Sequence, residues 1–496
     1  MKFKEFLNDA PIVTFGLLTG LFYGVIATAQ VLGMTGWYHP AALVVAVTLV
    51  ASTLAAWGYF RIGASQRQFF PALRREAGLT EGSSGWDLAL LTAGLAILVL
   101  LILIPLIRWP LTPVNETLHW DAAAYHFPKA IELYRTGSTW PLTIAYAEYP
   151  FGYESLLSFA LTLTGNTILF GAVHAFISLY LFLTLWLLGR RYTRLPDGLL
   201  VFLVSLLLFS GRMLKGGNPF WIFNDLVYMV GKNDLLLGIT LLSMVLHAPV
   251  GPRANQKRYH LFGLALATML AFSIKPNSIY VAAPLWALTF FQLWRDTHVE
   301  TPRWGVSRPG DPIHPGEDAA AQRLYRSSVS GASLPAWHLF GGLAGTALLI
   351  LPGGLWALRN LAVMGRVFAQ STYEMQQWSI ANNLGNPAFY TAIPKNLLFV
   401  IGVGLVCLVG AVLWHQPSRS QAFALAVLFV GFILTPESAY FGGDPNQAVT
   451  NIAWRFGIAL LGYTFILLMS LVERPTLWAL SFGRKVHFMQ VGLVVC

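Results

Sequence analysis

The chain has 496 residues, 56% of them hydrophobic and only 11% charged, and carries a formal charge of +10. That balance excludes an ordinary soluble domain and places the chain among polytopic membrane proteins. Its basic residues are spread over many short loops, which speaks for membrane orientation and against a nucleic-acid face.

A span takes roughly 20 predominantly apolar residues to cross about 30 Å of hydrocarbon. Runs of this kind fall near 11–33, 39–60, 86–108, 167–189, 196–212, 234–248, 260–275, 277–295, 336–357, 395–414, 420–436 and 452–472. They predict an all-α polytopic membrane protein with about 12 transmembrane helices. Lys2 and Lys4 before the first run, with Ala27-Thr28-Ala29 inside it, resemble a signal peptide. The run continues to Leu32, which favours an uncleaved first span. Cys407 falls inside an expected span and Cys496 at the last position, so no structural disulfide is expected.

The basic clusters Arg61 to Arg75, Arg190 to Arg194, Arg253 to Arg258, Arg295 to Arg326 and Arg474 to Lys485 are expected on the cytoplasmic side. This alternation holds only if the apolar piece 151–164 does not cross. Its length covers about 21 Å as a helix, and Glu154 near mid-membrane would cost about 2.5 to 3.5 kcal/mol. An interfacial helix is expected there. The outer segments are then 109–166, 212–233, the short Lys275-Pro276-Asn277 break, 358–394 and 437–451.

Four regions result: two N-terminal helices and a cytoplasmic loop over 1–85, a core over 86–295 that includes the outer loop 109–166, a connector over 296–335, and further helices over 336–496 with an outer loop 358–394. The connector is rich in Pro, Gly, Ser and mixed charge. The tail 476–496 fits either an interfacial helix or one more span.

The stretch His119 to Pro150 differs most from its surroundings, with Asp121, His126, Lys129, Glu132, Arg135 and Glu148 interleaved with aromatic residues such as Tyr125 and Tyr146. Two roles fit Asp121: a helix N-cap, and a general base whose carboxylate is desolvated at an apolar edge. His119, Asp121 and His126 lack the tight spacing of metal ligands, so no metal or other cofactor is expected. Glu148 reads as a loop carboxylate or a substrate contact. Lys275, in a Pro-broken hinge between two apolar runs, Arg359 at the end of LPGGLWALRN, and Arg455 in NIAWRFG fit either interfacial anchoring or the holding of a phosphate. No Walker loop, dinucleotide fingerprint or nucleophile elbow is present.

An Asp soon after a span, then Tyr125-His126-Phe127-Pro128-Lys129-Ala130, Gly137-Ser138, Tyr149-Pro150 and a helix ending in Gly165-Asn166 resembles the GT-C superfamily of membrane glycosyltransferases. The nearest likeness is to the bacterial branch similar to family 39 mannosyltransferases and aminoarabinose transferases. Gly231-Lys232-Asn233-Asp234, the Lys275 break and Trp356-x-x-Arg359-Asn360 also look like that branch. The resemblance is good over about 86–200 and looser to about 472; it leaves out the first two spans. It implies a multi-pass enzyme of the bacterial inner (plasma) membrane that moves a sugar from a polyprenyl-phosphate donor to a glycan, lipid or protein acceptor on the outer face. Asp121 is the position that matches the family's base. Tyr125, His126, Glu148, Lys275, Arg359 and Arg455 would contact substrate, and inversion at the anomeric carbon would follow. Familiar members often carry a second acidic residue beside the base; here Ala122 to Ala124 follow Asp121. Two other functions compete: a lipid or solute transporter, which would want charges at mid-span, and a non-catalytic subunit of a membrane complex.

Overall fold

The computed structural model describes residues 3–49, 85–111, 121–141, 143–144, 146–193, 195–213, 230–248, 254–299, 336–367, 418–434 and 457–482. Among them all regular structure is helical. The helices are α1 (Phe3–Thr35), α2 (Gly85–Leu111), α3 (Phe127–Thr136), α4 (Gly152–Thr164), α5 (Phe170–Tyr192), α6 (Asp197–Met213), α7 (Asp234–His247), α8 (Ala254–Ile274), α9 (Ile279–Val299), α10 (Ala336–Met364), α11 (Ser418–Leu434) and α12 (Ile458–Phe482). Pro40–Leu49 is a further short apolar helix.

Four of the described segments are long and apolar enough to cross a membrane: Ala10–Thr35, Gly85–Leu111, Thr167–Tyr192 and Leu343–Met364. Some others that match expected runs are shorter; α7 has 14 residues, which as a helix covers only about 21 Å. The run 395–414 and the second half of 39–60 lie outside the described residues, as do residues 300–335 of the connector 296–335 and most of the outer loop 358–394. The helix begun at Ile458 continues to Phe482, into the tail whose character the sequence left open.

The bundle is organised around α5, which packs against α1, α2, α4, α6, α7 and α12 and is buried along most of its length. Apolar attraction between helices is weak in lipid, so side-chain packing and interhelical hydrogen bonds must hold such contacts. Tyr180 supplies two of these, its hydroxyl accepting from Thr19 of α1 at 3.0 Å and from Ser243 of α7 at 3.3 Å. The N-terminal helix, read from the sequence as an addition, packs against α4, α5, α8 and α10.

Local signals fix the helix ends. Pro128 sits in the first turn of α3, where its missing N–H leaves no intrahelical bond unmade. Both α3 and α4 stop at a left-handed glycine, Gly137 at φ 68° and Gly165 at φ 69°. α8 ends where Lys275 turns extended before Pro276, as a residue preceding proline is disposed to do. The expected helix over 151–164 forms as α4, but it is enclosed by protein: Tyr153, Glu154, Ser155, Leu156, Leu157 and Ser158 are all buried. Its contacts run to α1, α3, α5 and α8.

Candidate functional site

The bundle has two polar ends. At one, Arg190 forks onto Asp197 with two 2.9 Å hydrogen bonds across the corner between α5 and α6. Arg191 donates to the Leu246 and Ala248 carbonyls where α7 ends, and Asp87 accepts the Gly198 N–H at 3.0 Å in the first turn of α6. These contacts satisfy groups that helix ends leave bare.

The other end is built from the described residues of 121–151, the turn before α7, the hinge after α8 and the last turns of α10. Asp121 is buried and precedes a π turn over Ala122–His126. Its side chain caps no backbone group of that turn; its carboxylate meets the Lys232 ammonium instead. Lys232 comes from the turn Gly231-Lys232-Asn233-Asp234 that starts α7. Gly231 has φ 96°, its N–H donates to the Tyr153 hydroxyl at 2.9 Å, and a Cβ placed on it would lie 2.4 Å from the Ala122 Cβ. Only a residue without a side chain fits that backbone and that gap, and this close approach is what puts Lys232 on Asp121. Two residues on, Asp234 accepts from Lys275 at 2.9 Å. The hinge after α8 and the start of α7 are thereby joined beside the Asp121 pair.

A third cluster lies beneath. His126 donates through Nδ1 to Glu154 Oε1 at 2.7 Å, because an ionised carboxylate can only accept. His126 Nε2 is buried with no hydrogen-bond partner among the described residues. Lys129 stands 3.5 Å from the same Glu154 oxygen. Burial pushes the His126 imidazole below its ordinary pKa, against the opposing pull of the Glu154 hydrogen bond. Burial likewise lowers the Lys129 ammonium, with Glu154 pulling the other way. Burial alone would raise the Glu154 carboxyl, but Lys129 and the His126 hydrogen bond outweigh it and hold it below the usual carboxylate range.

Arg359, fully buried on α10, forks onto the Thr139 carbonyl at 3.0 Å and the Ala147 carbonyl at 2.8 Å and also holds the Asn360 side-chain oxygen at 2.7 Å. Asn360 donates to the Glu148 carbonyl at 2.7 Å. Lys129 donates to the Tyr149 and Pro150 carbonyls at 3.3 and 3.0 Å. Five backbone carbonyls between Thr139 and Pro150 are thus pinned from below. The Phe151 ring lies 4.3 Å from the Lys129 ammonium and 5.1 Å from the Arg359 guanidinium. The same stretch is stitched to the end of α1: Thr139 N–H donates to Gly33 O at 3.0 Å and the Trp140 indole to Met34 O at 2.7 Å.

Of the residues singled out from the sequence, Asp121, Tyr125, His126, Glu148, Lys275 and Arg359 all fall at this end, while Arg455 lies outside the described residues. Arg359 directs its donors to loop carbonyls, and Lys275 is half-buried on Asp234. Sequence reasoning passed over Lys232, Asp234, Lys129 and Glu154 as site residues. Two signals could have found them: a glycine followed by Lys-Asn-Asp at the start of an apolar run, and a glutamate inside a short apolar helix. Among the described residues no three His, Cys, Asp or Glu side chains gather as metal ligands. Among the described residues, the ammonium groups at this end that could meet an anion are those of Lys232 and Lys275.

No family model, curated protein or solved structure matches the chain.

Proposed function

We propose that the chain is a membrane glycosyltransferase that moves a sugar from a polyprenyl-phosphate donor to an acceptor hydroxyl at the bundle end that carries Asp121, the end expected on the outer face. The observation that carries this reading is the pairing of Asp121 with Lys232 next to the pairing of Asp234 with Lys275. Two carboxylates and two ammonium groups come from three separate stretches of chain. Removing charges from water costs several kcal/mol per ion even when they are paired. A bundle that needed only stability has cheaper apolar solutions, so this arrangement favours a chemical role. The resemblance of the same stretches to the GT-C superfamily supplies the reaction.

Lys232 sets an ammonium beside Asp121, and a neighbouring positive charge favours the ionised form that a carboxylate base needs before it acts. An incoming lipid phosphodiester offers Lys232 and Lys275 a competing anion and loosens their hold on the two aspartates. Asp121 then takes the proton of the acceptor hydroxyl as its oxygen bonds to the anomeric carbon. The bond from that carbon to the phosphate oxygen breaks, its electron pair leaves with the prenyl phosphate, and the centre inverts. The leaving group is already an anion stabilised by the ammonium groups, so electrostatic support at the phosphate matters more than a general acid.

The test is transfer from a labelled polyprenyl-phosphate sugar by the parent and by Asp121→Asn. Loss of a positioned base lowers the rate by about 10² to 10⁴, with the variant still folded by thermal unfolding. Unchanged transfer would remove Asp121 from the reaction; no transfer by the parent from any such donor would falsify the enzyme reading itself.

A further inference from the structure

Tyr146 is the one residue other than glycine, among those described, with a left-handed backbone, at φ 57°. That conformation brings the Cβ of an L-residue too close to the following carbonyl oxygen, and such strain persists only where surrounding contacts over-determine it. Here they do. The carbonyls of Ala147, Glu148, Tyr149 and Pro150, the next four residues, are held by Arg359, Asn360 and Lys129, and Tyr149 N–H closes a turn on Tyr146 O at 3.1 Å.

The strained residue sits in a row of rings. Tyr146 lies 5.0 Å from Tyr125 and 5.8 Å from Tyr149, centroid to centroid. All three are half-buried, with part of each at the surface. Tyr125 belongs to the π turn that Asp121 precedes, so the row begins beside the candidate base. Glu148 stands between Tyr146 and Tyr149 in the chain. It too is half-buried, and among the described residues its carboxylate accepts no hydrogen bond. Aromatic faces beside a carboxylate that feels the Arg359 and Lys129 charges but accepts no hydrogen bond from the described residues suit one ligand chemistry well: a sugar ring, which lays its C–H face on the rings and gives hydroxyl protons to the oxygens.

We propose that Tyr125, Tyr146 and Tyr149, with the Glu148 carboxylate, form the sugar-binding surface of the site, and that the clamp of Arg359, Asn360 and Lys129 holds Tyr146 in its left-handed conformation to present that surface. The proposal rests on the glycosyl-transfer reading for the source of the sugar, but sugar binding can be read without transfer.

The experiment uses the full chain in lipid nanodiscs, free of glycoside detergent, with methyl α-D-mannopyranoside and methyl β-D-glucopyranoside as probes. Saturation-transfer NMR reports binding, and apparent Tm is read on the same samples. Tyr146→Gly removes the ring but accepts the left-handed backbone without strain; Tyr125→Leu removes a second ring from the row. Each should lower glycoside binding about 2- to 10-fold, and Tyr146→Gly should leave the apparent Tm unchanged or raise it. Asp121→Asn should keep glycoside binding while losing transfer, which separates failure of this inference from failure of the reaction assignment. Binding by Tyr146→Gly equal to the parent, or absence of binding of either glycoside by the parent, overturns the proposal. Loss of binding accompanied by a lowered Tm in both variants marks a structural role and overturns it as well.

Discussion

The two polar ends of the bundle use charge differently. At the Arg190 end the ion pair closes one corner, with Arg190 and Asp197 7 residues apart, and the other charges serve helix termini, Arg191 at the end of α7 and Asp87 at the start of α6. At the Asp121 end the ion pairs themselves, and the reach of Arg359 into a loop, join distant parts of the chain: Asp121 and Lys232 are 111 residues apart, Arg359 and Thr139 are 220 apart. Capping a helix end satisfies groups that had to be satisfied anyway. Burying an ammonium against a carboxylate sets a desolvation penalty against a Coulombic gain and often yields no net stability. The Arg190 end places one such pair across a single corner and gives its other charges to helix ends, whereas the Asp121 end sets two pairs from three stretches of chain side by side and asks for a further reason.

Removing one carboxylate from each end tests the contrast most sharply. Glu154→Gln leaves the Lys129 ammonium, whose side chain has 0% exposure, without its counter-charge, and breaking a buried pair this way costs about 3 to 5 kcal/mol. The expected result is a large fall in apparent Tm, or failure to accumulate, because Lys129 also holds the Tyr149 and Pro150 carbonyls. Gly231→Ala comes next. A left-handed backbone that no longer suits its residue costs about 1 to 3 kcal/mol, and the new Cβ meets Ala122, so Lys232 must shift from Asp121. Transfer should fall by more than stability does. Pairing the change with Ala122→Gly should relieve the contact and recover part of the transfer. Asp197→Asn, at the Arg190 end, should cost about 1 to 3 kcal/mol, the worth of a buried group losing its partner, with transfer per folded molecule unchanged. If Asp197→Asn silences transfer as Gly231→Ala does, the distinction between the two ends fails.

Much of the helical framework was legible because each apolar run is long and ends in local chemistry, as with Pro128, Gly137, Gly165 and Pro276. The outer stretch 119–150 was legible as a site because ionisable and aromatic residues interrupt that pattern. Pairing was not. Nothing in the sequence distinguishes Lys232 from Lys275 as the neighbour of Asp121, since the choice is made by Gly231 closing on Ala122 more than 100 residues away. Arg359 read equally well as a phosphate ligand, because a guanidinium forks onto carbonyls as readily as onto phosphoryl oxygens; only the fold shows which oxygens lie within reach. The enclosure of α4 was hidden for a similar reason. An apolar helix with one glutamate fits an interface, and the partners that bury Glu154, His126 and Lys129, precede it by about 25 residues in a segment with mixed periodicity.

The smallest effect concerns acid, and it isolates one group. The native pKa of His126 lies below its ordinary value because the ring is buried, whereas in the unfolded chain it titrates near about 6.5. Below that pH the unfolded chain binds a proton that the native protein does not, so acidification favours unfolding; above it His126 contributes no pH dependence. Glu154, held below its ordinary range, loses its contribution only at lower pH, as the native carboxylate itself becomes protonated. Between about pH 5 and 6.5 the sloping part of this cluster's stability therefore belongs to His126. His126→Asn keeps an N–H donor for Glu154 and removes the titration. Apparent Tm measured every half unit from pH 5 to 7 should fall less on acidification in the variant than in the parent. Equal slopes would mean that the native imidazole takes up its proton as readily as a solvated one, and the enclosed, neutral His126 at the Asp121 end would have to be given up.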